Sequence, residues 1–558
     1  MSKIVKKMKI MQPGGTLSDY VPIGAEAENI NVDGENVETK LSKKPYYYDT
    51  VADMKADTKL KAGDMAVTLG YYSVNDGGGA EYKIVNSTSD YKETLDNELF
   101  AKLIVKDKEY NLLTLGLSST ENKSNIIQNI VDSLGDNVTL IIPTGVYFLD
   151  LIIKNKYIKI KGTGTIKGSI TIDTTIIDNV LNPCYNEISD INFTKNTNNY
   201  AIKLNTGRNF KINNVSIDES FEYGIYYNTQ SSFSQRVCKV IISNNIIYAH
   251  NGIYLSDTNT LGTADITFDN NILYSTICNV YLDGVDGFKD TNNTYFMEGY
   301  NRQSQTKTYN FKGNRVTWLT INGSTFFEAG YSAIYLTKYQ NTNINNNLIG
   351  WCGQRVRSAG IYLGDYDVTG SGLYNLTNVS NNIIMQPSGN GIEITTNTGR
   401  ISINNNRLHG IGSSQYYYGA TDSRDTYGIY YPLVNENMYC SVTNNICENK
   451  ISSLSTRIFK SNNIEPNSKS TAYRLTEDVE VSDTFVHGVA TSKTLSYSVP
   501  TGYLVNNIRV TSMDPTSHAI QYDITIVGNI AIIKNNYSTD LTTKITFQVE
   551  YIKADSFI

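Results

Sequence analysis

The chain has 558 residues, with 48 Lys and Arg against 54 Asp and Glu, for a formal charge of −6. That length exceeds one ordinary globular core, and the acidic balance argues against general nucleic-acid binding. No run of about 18 apolar residues is present to span a membrane, and the basic start Met1-Ser-Lys-Ile-Val-Lys-Lys lacks the apolar segment of a signal peptide. Cys184, Cys238, Cys278, Cys352, Cys440 and Cys447 have no metal-ligand spacing. Free thiols packed in a core are expected, in a protein made in a reducing cytoplasm.

Residues 1–48 are polar and weakly patterned, as expected of an arm that orders on a partner. Residues 49–107 predict a small α+β domain, with a short helix near Thr50-Val-Ala-Asp-Met and strands around the turn Asn75-Asp-Gly-Gly-Gly. A helix is predicted over about 120–134, because Ile126, Ile127, Ile130, Val131 and Leu134 share one face. Thr120 is its candidate N-cap and Gly135 its candidate closing residue. Lying just before Val138-Thr-Leu-Ile-Ile-Pro-Thr-Gly-Val-Tyr, this helix is placed to cap an open stack of strands.

From there to residue 465 the chain repeats itself. Doubled asparagines recur, as in Asn244-Asn245, Asn270-Asn271, Asn292-Asn293, Asn346-Asn347, Asn381-Asn382, Asn405-Asn406 and Asn444-Asn445, with Asn322-Gly323 as a variant. Between them stand Gly252-Ile-Tyr-Leu, Asn279-Val-Tyr-Leu, Ala333-Ile-Tyr-Leu, Gly360-Ile-Tyr-Leu, Gly391-Ile-Glu-Ile and Gly428-Ile-Tyr-Tyr. Repeats of this length with strand alternation predict an all-β solenoid over 108–465. Asparagine suits its turns, since it tolerates the left-handed backbone region and its amide can bond to the next coil. Residues 466–558 change to period-two alternation and predict a C-terminal antiparallel β-sandwich.

These features resemble phage tailspike and tail-fibre depolymerases with a pectate-lyase-like right-handed parallel β-helix. The resemblance is carried by the predicted helix followed by Ile142-Pro-Thr-Gly-Val-Tyr, by Thr50-Val-Ala-Asp-Met through Asn75-Asp-Gly-Gly-Gly-Ala-Glu-Tyr, and by Gly24-Ala-Glu-Ala-Glu-Asn. It implies a homotrimer attached through its N-terminus to a phage tail or baseplate protein. It further implies a virion location, with binding and often cleavage of a bacterial surface polysaccharide such as capsule, exopolysaccharide or wall teichoic acid. Such proteins share no universal catalytic motif, so candidate residues rest on coil geometry.

Registering the coils on their doubled asparagines places His250, Thr276, Glu298 and Glu328 in one column. Glu298 and Glu328 are then expected about 5 Å apart, a spacing suited to a general acid and a base or nucleophile in glycoside hydrolysis. The same turn carries Arg302, Tyr331, Trp351, Arg355 and Arg357, with Tyr417 on a long insert. Aromatic faces and arginines suit an anionic glycan. A second column beside the Gly-Ile-Tyr-Leu strands is expected to hold Asp257, Asp283, Lys338 and Asp365, with Asp365 as the reserve acid and Asp283 as a further alternative acid or a substrate contact. No cofactor is expected; scattered aspartates leave a structural calcium ion open, without a motif that requires one. The rival readings are a glycan-binding adsorption protein, a polysaccharide lyase and a teichoic-acid-cleaving enzyme on the same fold.

Overall fold

The structure is a computed structural model. It describes residues 45–86, 92–173, 186–229, 237–257, 263–297, 306–364, 376–395, 399–412, 426–431, 438–449, 451–453, 458–461, 463, 474–499, 503–514, 522–527, 529–536 and 541–553, with four two-residue strands before residue 37. By internal contacts the chain forms two compact units, Met1–Ser216 and Ile217–Ile558.

In the first unit a five-stranded sheet is built from Tyr46–Tyr48, Met65–Thr68, Glu81–Val85, Phe100–Leu103 and Lys92–Thr94. The helix Val51–Ala56 beside it starts in a capping box, in which Thr50 and Asp53 satisfy each other's backbone N–H groups. Parallel coils follow, starting with Val138–Ile142 on Ile158–Gly162 and Val146–Lys154 on Thr165–Asp173. The amphipathic helix runs from Ser124 to Ser133 and caps these coils. Gln128 bonds both the N–H and the C=O of Ile152 at 2.8 Å, and Ser124 Oγ accepts from Asp150 N–H. An open strand edge is thereby satisfied by side chains. Thr120 does not cap this helix: its residue before the first turn is Lys123, which makes no side-chain cap bond. Leu134 ends it in an extended conformation, and Gly135 is not left-handed.

The second unit contains a right-handed parallel β-helix. Each coil has a strand leading into the asparagine corner, a short strand leaving it, and the Gly-Ile-Tyr-Leu strand. Along the last of these, residues alternate: Ile253 and Leu255 are buried while Tyr254 faces outward. The recurrent glycine has a packing reason. A Cβ on Gly252 would lie 2.6 Å from the Asn279 carbonyl oxygen of the next coil, and one on Gly391 2.5 Å from that of Gly428.

The corner divides two jobs between neighbouring asparagines. Asn244, Asn270, Asn292, Asn346, Asn381, Asn405 and Asn444 take the left-handed turn, with φ from 54° to 59°. The following residues, Asn245, Asn271, Asn293, Asn347, Asn382, Asn406 and Asn445, point inward as a buried ladder. Asn382 Oδ1 accepts from Asn347 N–H at 3.0 Å and from Asn347 Nδ2 at 2.9 Å, and Asn382 Nδ2 donates to Asn406 Oδ1 at 2.9 Å. Ser324 breaks the ladder. Its hydroxyl accepts from Asn293 N–H, but Asn293 Nδ2 turns to Asp290 Oδ1 at 2.9 Å, and Ser324 Oγ donates to the same carboxylate at 2.6 Å. Asp290 thus supplies inside the core the acceptor that a missing asparagine would have offered. Tyr295 OH also donates to it, and burial pushes its carboxyl up to about 6 against the lowering effect of the Ser324, Tyr295 and Asn293 bonds.

The C-terminal part is a β-sandwich of two antiparallel three-stranded sheets. Arg474–Phe485, Leu541–Lys553 and Tyr503–Asp514 form one, Ala490–Thr494, Ile530–Asn535 and Tyr522–Val527 the other. Phe547, Val549 and Tyr551 of one sheet pack with Ala531 and Ile533 of the other. Among the described residues no helix is long and apolar enough to cross a membrane. The described cysteines are buried free thiols, and burial pushes those of Cys278 and Cys352 up to about 12. Cys184 lies outside the described residues.

Candidate functional site

The outward residue of the Gly-Ile-Tyr-Leu strand forms a continuous column along the helix axis. Strand register pairs Tyr226 with Tyr254, Tyr254 with Tyr281, Tyr281 with Lys312, Lys312 with Tyr335 and Tyr335 with Tyr362. Tyr362 then pairs with Glu393, and Glu393 with Tyr430. The rings stack where they adjoin, with centroids 4.6 Å apart for Tyr254 and Tyr281 and 4.6 Å for Tyr335 and Tyr362. A flat aromatic face with hydroxyls at its rim suits a ligand having both apolar faces and hydroxyl groups.

A groove of ≈ 390 Å³ opens along the later part of this column. Four rings line it, Tyr331, Tyr362, Tyr427 and Tyr430, together with Arg357, Ser358, Asn390 and Glu393. Asn390 ties the floor together: its Nδ2 donates to Glu393 Oε2 at 3.0 Å, and its Oδ1 accepts from Tyr427 N–H at 2.9 Å. Tyr427 stacks on Tyr430 at 5.1 Å. Ser358 is 7% exposed, and its Oγ is buried without a protein hydrogen-bond partner. That oxygen lies behind the surface of the groove, an unpaired polar atom within its wall. Glu393 is the one carboxylate among the described lining residues. Among the described residues, no cluster of three or more His, Cys, Asp or Glu is placed to hold a metal ion.

Of the residues singled out in the sequence, Tyr331 and Arg357 come together in this groove. Arg355 does not line it. Its side chain is buried against Gly330, whose Cβ would lie 2.8 Å from Arg355 Cδ. Trp351 sits at a neighbouring corner, half-buried, its ring tilted against Phe327 at 5.4 Å and its indole N–H donated to Gln386 Oε1 at 2.7 Å. Glu328 occupies the same corner one coil earlier. It is left-handed with φ 61°, as are Trp351 at 53° and Gln386 at 51°, a second corner column that the sequence did not reveal. Glu298, Arg302, Asp365 and Tyr417 lie outside the described residues.

The coil register differs from the one expected on doubled asparagines. The left-handed position is filled by Asn292 in one coil and Gly323 in the next, and Thr294 pairs with Thr325. The reason is that Asn292-Asn293 holds the second and third corner positions, whereas Asn322-Gly323 holds the first and second. His250 and Thr276 do share a column, with Nδ1 and Oγ1 at 2.6 Å. The second expected column also separates. Asp283 pairs with Ser256 and Asn314, one position before that of Asp257, and its carboxylate is held by Arg315 at 2.8 Å. Asp257 is fully buried and accepts from Tyr227 OH and Thr263 Oγ1. Both are built into the coil.

Glu393 was the residue missed, although its signal was present. In Gly391-Ile-Glu-Ile a glutamate stands where the other phrases carry tyrosine.

Comparison with protein-family profiles finds no match, and neither does comparison with curated sequences. Among solved structures the chain is similar to the tailspike protein gp49 of Acinetobacter baumannii bacteriophage Fri1, a capsular polysaccharide depolymerase. Identity is 13% over 91% of this chain and 98% of that one, with a TM-score of 0.44. It is also similar to the A-module of the Azotobacter vinelandii mannuronan C-5 epimerase AlgE6, at 16% identity over 64% and 100% of the two chains, TM-score 0.41. The enzymatically active domain of bacteriophage CBA120 tailspike protein 4 gives 14% identity over 96% and 80%, TM-score 0.38. At these values no residue role passes from those proteins to this chain.

Proposed function

We propose that this protein is a phage tailspike that binds a bacterial surface polysaccharide along its tyrosine column and cleaves it in the groove at Glu393. The observation that carries this reading is a carboxylate set into an aromatic column, facing a groove lined by Arg357 and by four tyrosine rings. Sugar rings present C–H faces to the tyrosines and hydroxyls to Asn390. Glu393, oriented by Asn390, transfers a proton at the glycosidic oxygen as the general acid of a hydrolysis. Asp365, three residues past Tyr362 in the chain, is the candidate second carboxylate. Residues 1–48 fasten the protein to the tail, and three chains associate.

The test is release of reducing ends, alongside absorbance of unsaturated uronates, from extracted surface polysaccharide of cells to which the protein adsorbs. Glu393→Gln is expected to lower cleavage at least about 100-fold with an unchanged melting temperature. Full activity in Glu393→Gln, with loss in Glu298→Gln and Glu328→Gln, would move the chemistry to the glutamate corner. An unsaturated product would replace hydrolysis by elimination. Binding without any cleavage would make the protein an adsorption module.

A further inference from the structure

The tyrosine column departs from tyrosine at two places between Tyr226 and Tyr430. One is Glu393 in the groove; the other is Lys312, three coils earlier. At ~4.8 Å per coil the two stand about 14 Å apart along one face. Lys312 is held by rings rather than by acids. Its ammonium lies 5.4 Å from the Tyr281 centroid and 5.0 Å from that of Tyr309. Tyr309 packs on Tyr331 at 5.6 Å and on Tyr335 at 5.3 Å, so the same aromatic cluster reaches the groove wall. Lys307 adds a second cation over Tyr331, at 4.5 Å. Among the described residues, neither lysine is paired with a carboxylate, whereas nearby Arg315 is spent on Asp283.

Two ammonium groups resting on aromatic faces, Lys312 within a column that can stack sugar rings and Lys307 outside it over Tyr331, form a site for a negative charge carried on a polymer. We infer that Lys312, supported by Lys307, is a specificity-determining residue that binds an acidic substituent of the polysaccharide, so that the substrate is an anionic glycan. This rests on the reading that a glycan runs along the tyrosine column. A lysine serving only to pack against Tyr281 and Tyr309 would leave binding indifferent to the charge of the polymer. A charge contact instead makes affinity depend on that charge and fall with added salt. The anion is a carboxylate or a phosphate. Either is recognised by the same ammonium, and the two are separated by chemistry done on the polymer.

The experiment uses Glu393→Gln protein, which reads binding independently of cleavage. Its probes are surface polysaccharide extracted from cells that the protein adsorbs to, the same material with carboxylates reduced to alcohols, and the same material stripped of phosphate. Native polymer is expected to bind roughly tenfold more tightly than one of the two neutralised forms. Adding Lys312→Met should abolish that preference while leaving affinity for the neutral form unchanged. Lys312→Arg should retain it. Loss on carboxyl reduction assigns a uronate-like group; loss on dephosphorylation assigns a phosphodiester. Equal affinity for all three polymers, or an undiminished preference in Lys312→Met, would overturn the inference while leaving the groove reading intact. Loss of cleavage in Glu393→Gln with no charge preference would separate the two in the same way.

Discussion

Two columns of this solenoid repeat at the same step, and they treat irregularity differently. The inward asparagine ladder tolerates one break, at Ser324, and that break is compensated atom for atom by Asp290. The outward tyrosine column is broken at Glu393 between ordinary buried apolar residues, Ile392 and Ile394, and at Lys312 between Phe311 and Gly313, the glycine standing in register with Leu282 and Leu336 of the adjacent coils. Inside, an unmatched amide costs the desolvation of a buried polar group, so a substitution forces a partner to change. Outside, water satisfies whatever the ligand does not, so the column is free to vary. A departure from the repeat on the outer face is therefore informative about binding, whereas a departure on the inner face is first a statement about stability.

The comparison breaks most sharply at Asn382. Replacing it by Ala removes the side-chain acceptor of Asn347 N–H, one of the two acceptors of Asn347 Nδ2, and the side-chain donor to Ile344 C=O. A loss of about 3 kcal/mol or more is expected in chemical unfolding; a change below about 1 kcal/mol would show that the ladder does not hold the coils.

Asp290 offers a pH-dependent version of the same test. Its carboxyl is raised from the ordinary 3.8 to about 6 by burial, so folding favours the protonated form. Its contribution to stability is fully present below about pH 4 and is lost as pH rises through about 6. Asp290→Asn should flatten the melting temperature between pH 4 and pH 7 relative to the native chain; an identical slope would remove Asp290 as its source. The smallest effect belongs to the outer face. Tyr254→Ala removes one stacked ring and should cost only about 0.5–1.5 kcal/mol, while weakening retention of the protein on immobilised surface polysaccharide. Unchanged retention would take Tyr254 out of the binding face.

Much of this was legible in the chain. The repeat, the strand alternation and the switch in pattern near residue 466 are local, and so is the amphipathic stripe of the helix at Ser124–Ser133. Tyr331 and Arg357 were found because aromatic and guanidinium groups clustered near one turn. Arg355, two residues away, was indistinguishable from Arg357 in sequence, and only packing against Gly330 separates them.

The sequence by itself determined the architecture, because a repeated apolar pattern has few ways to bury itself other than stacking coil upon coil. Register was decided only by the tertiary structure. Asn292-Asn293 and Asn322-Gly323 look alike in sequence, yet they fill different corner positions: the parallel ladder pairs Thr291 with Asn322 and Thr294 with Thr325, and Asn293 N–H bonds Ser324 Oγ. A shift of one residue changes which side chains meet. The meeting of Glu393, Arg357 and Ser358 was likewise set by the stack, for residues far apart in the chain become neighbours only when successive coils lie on one another.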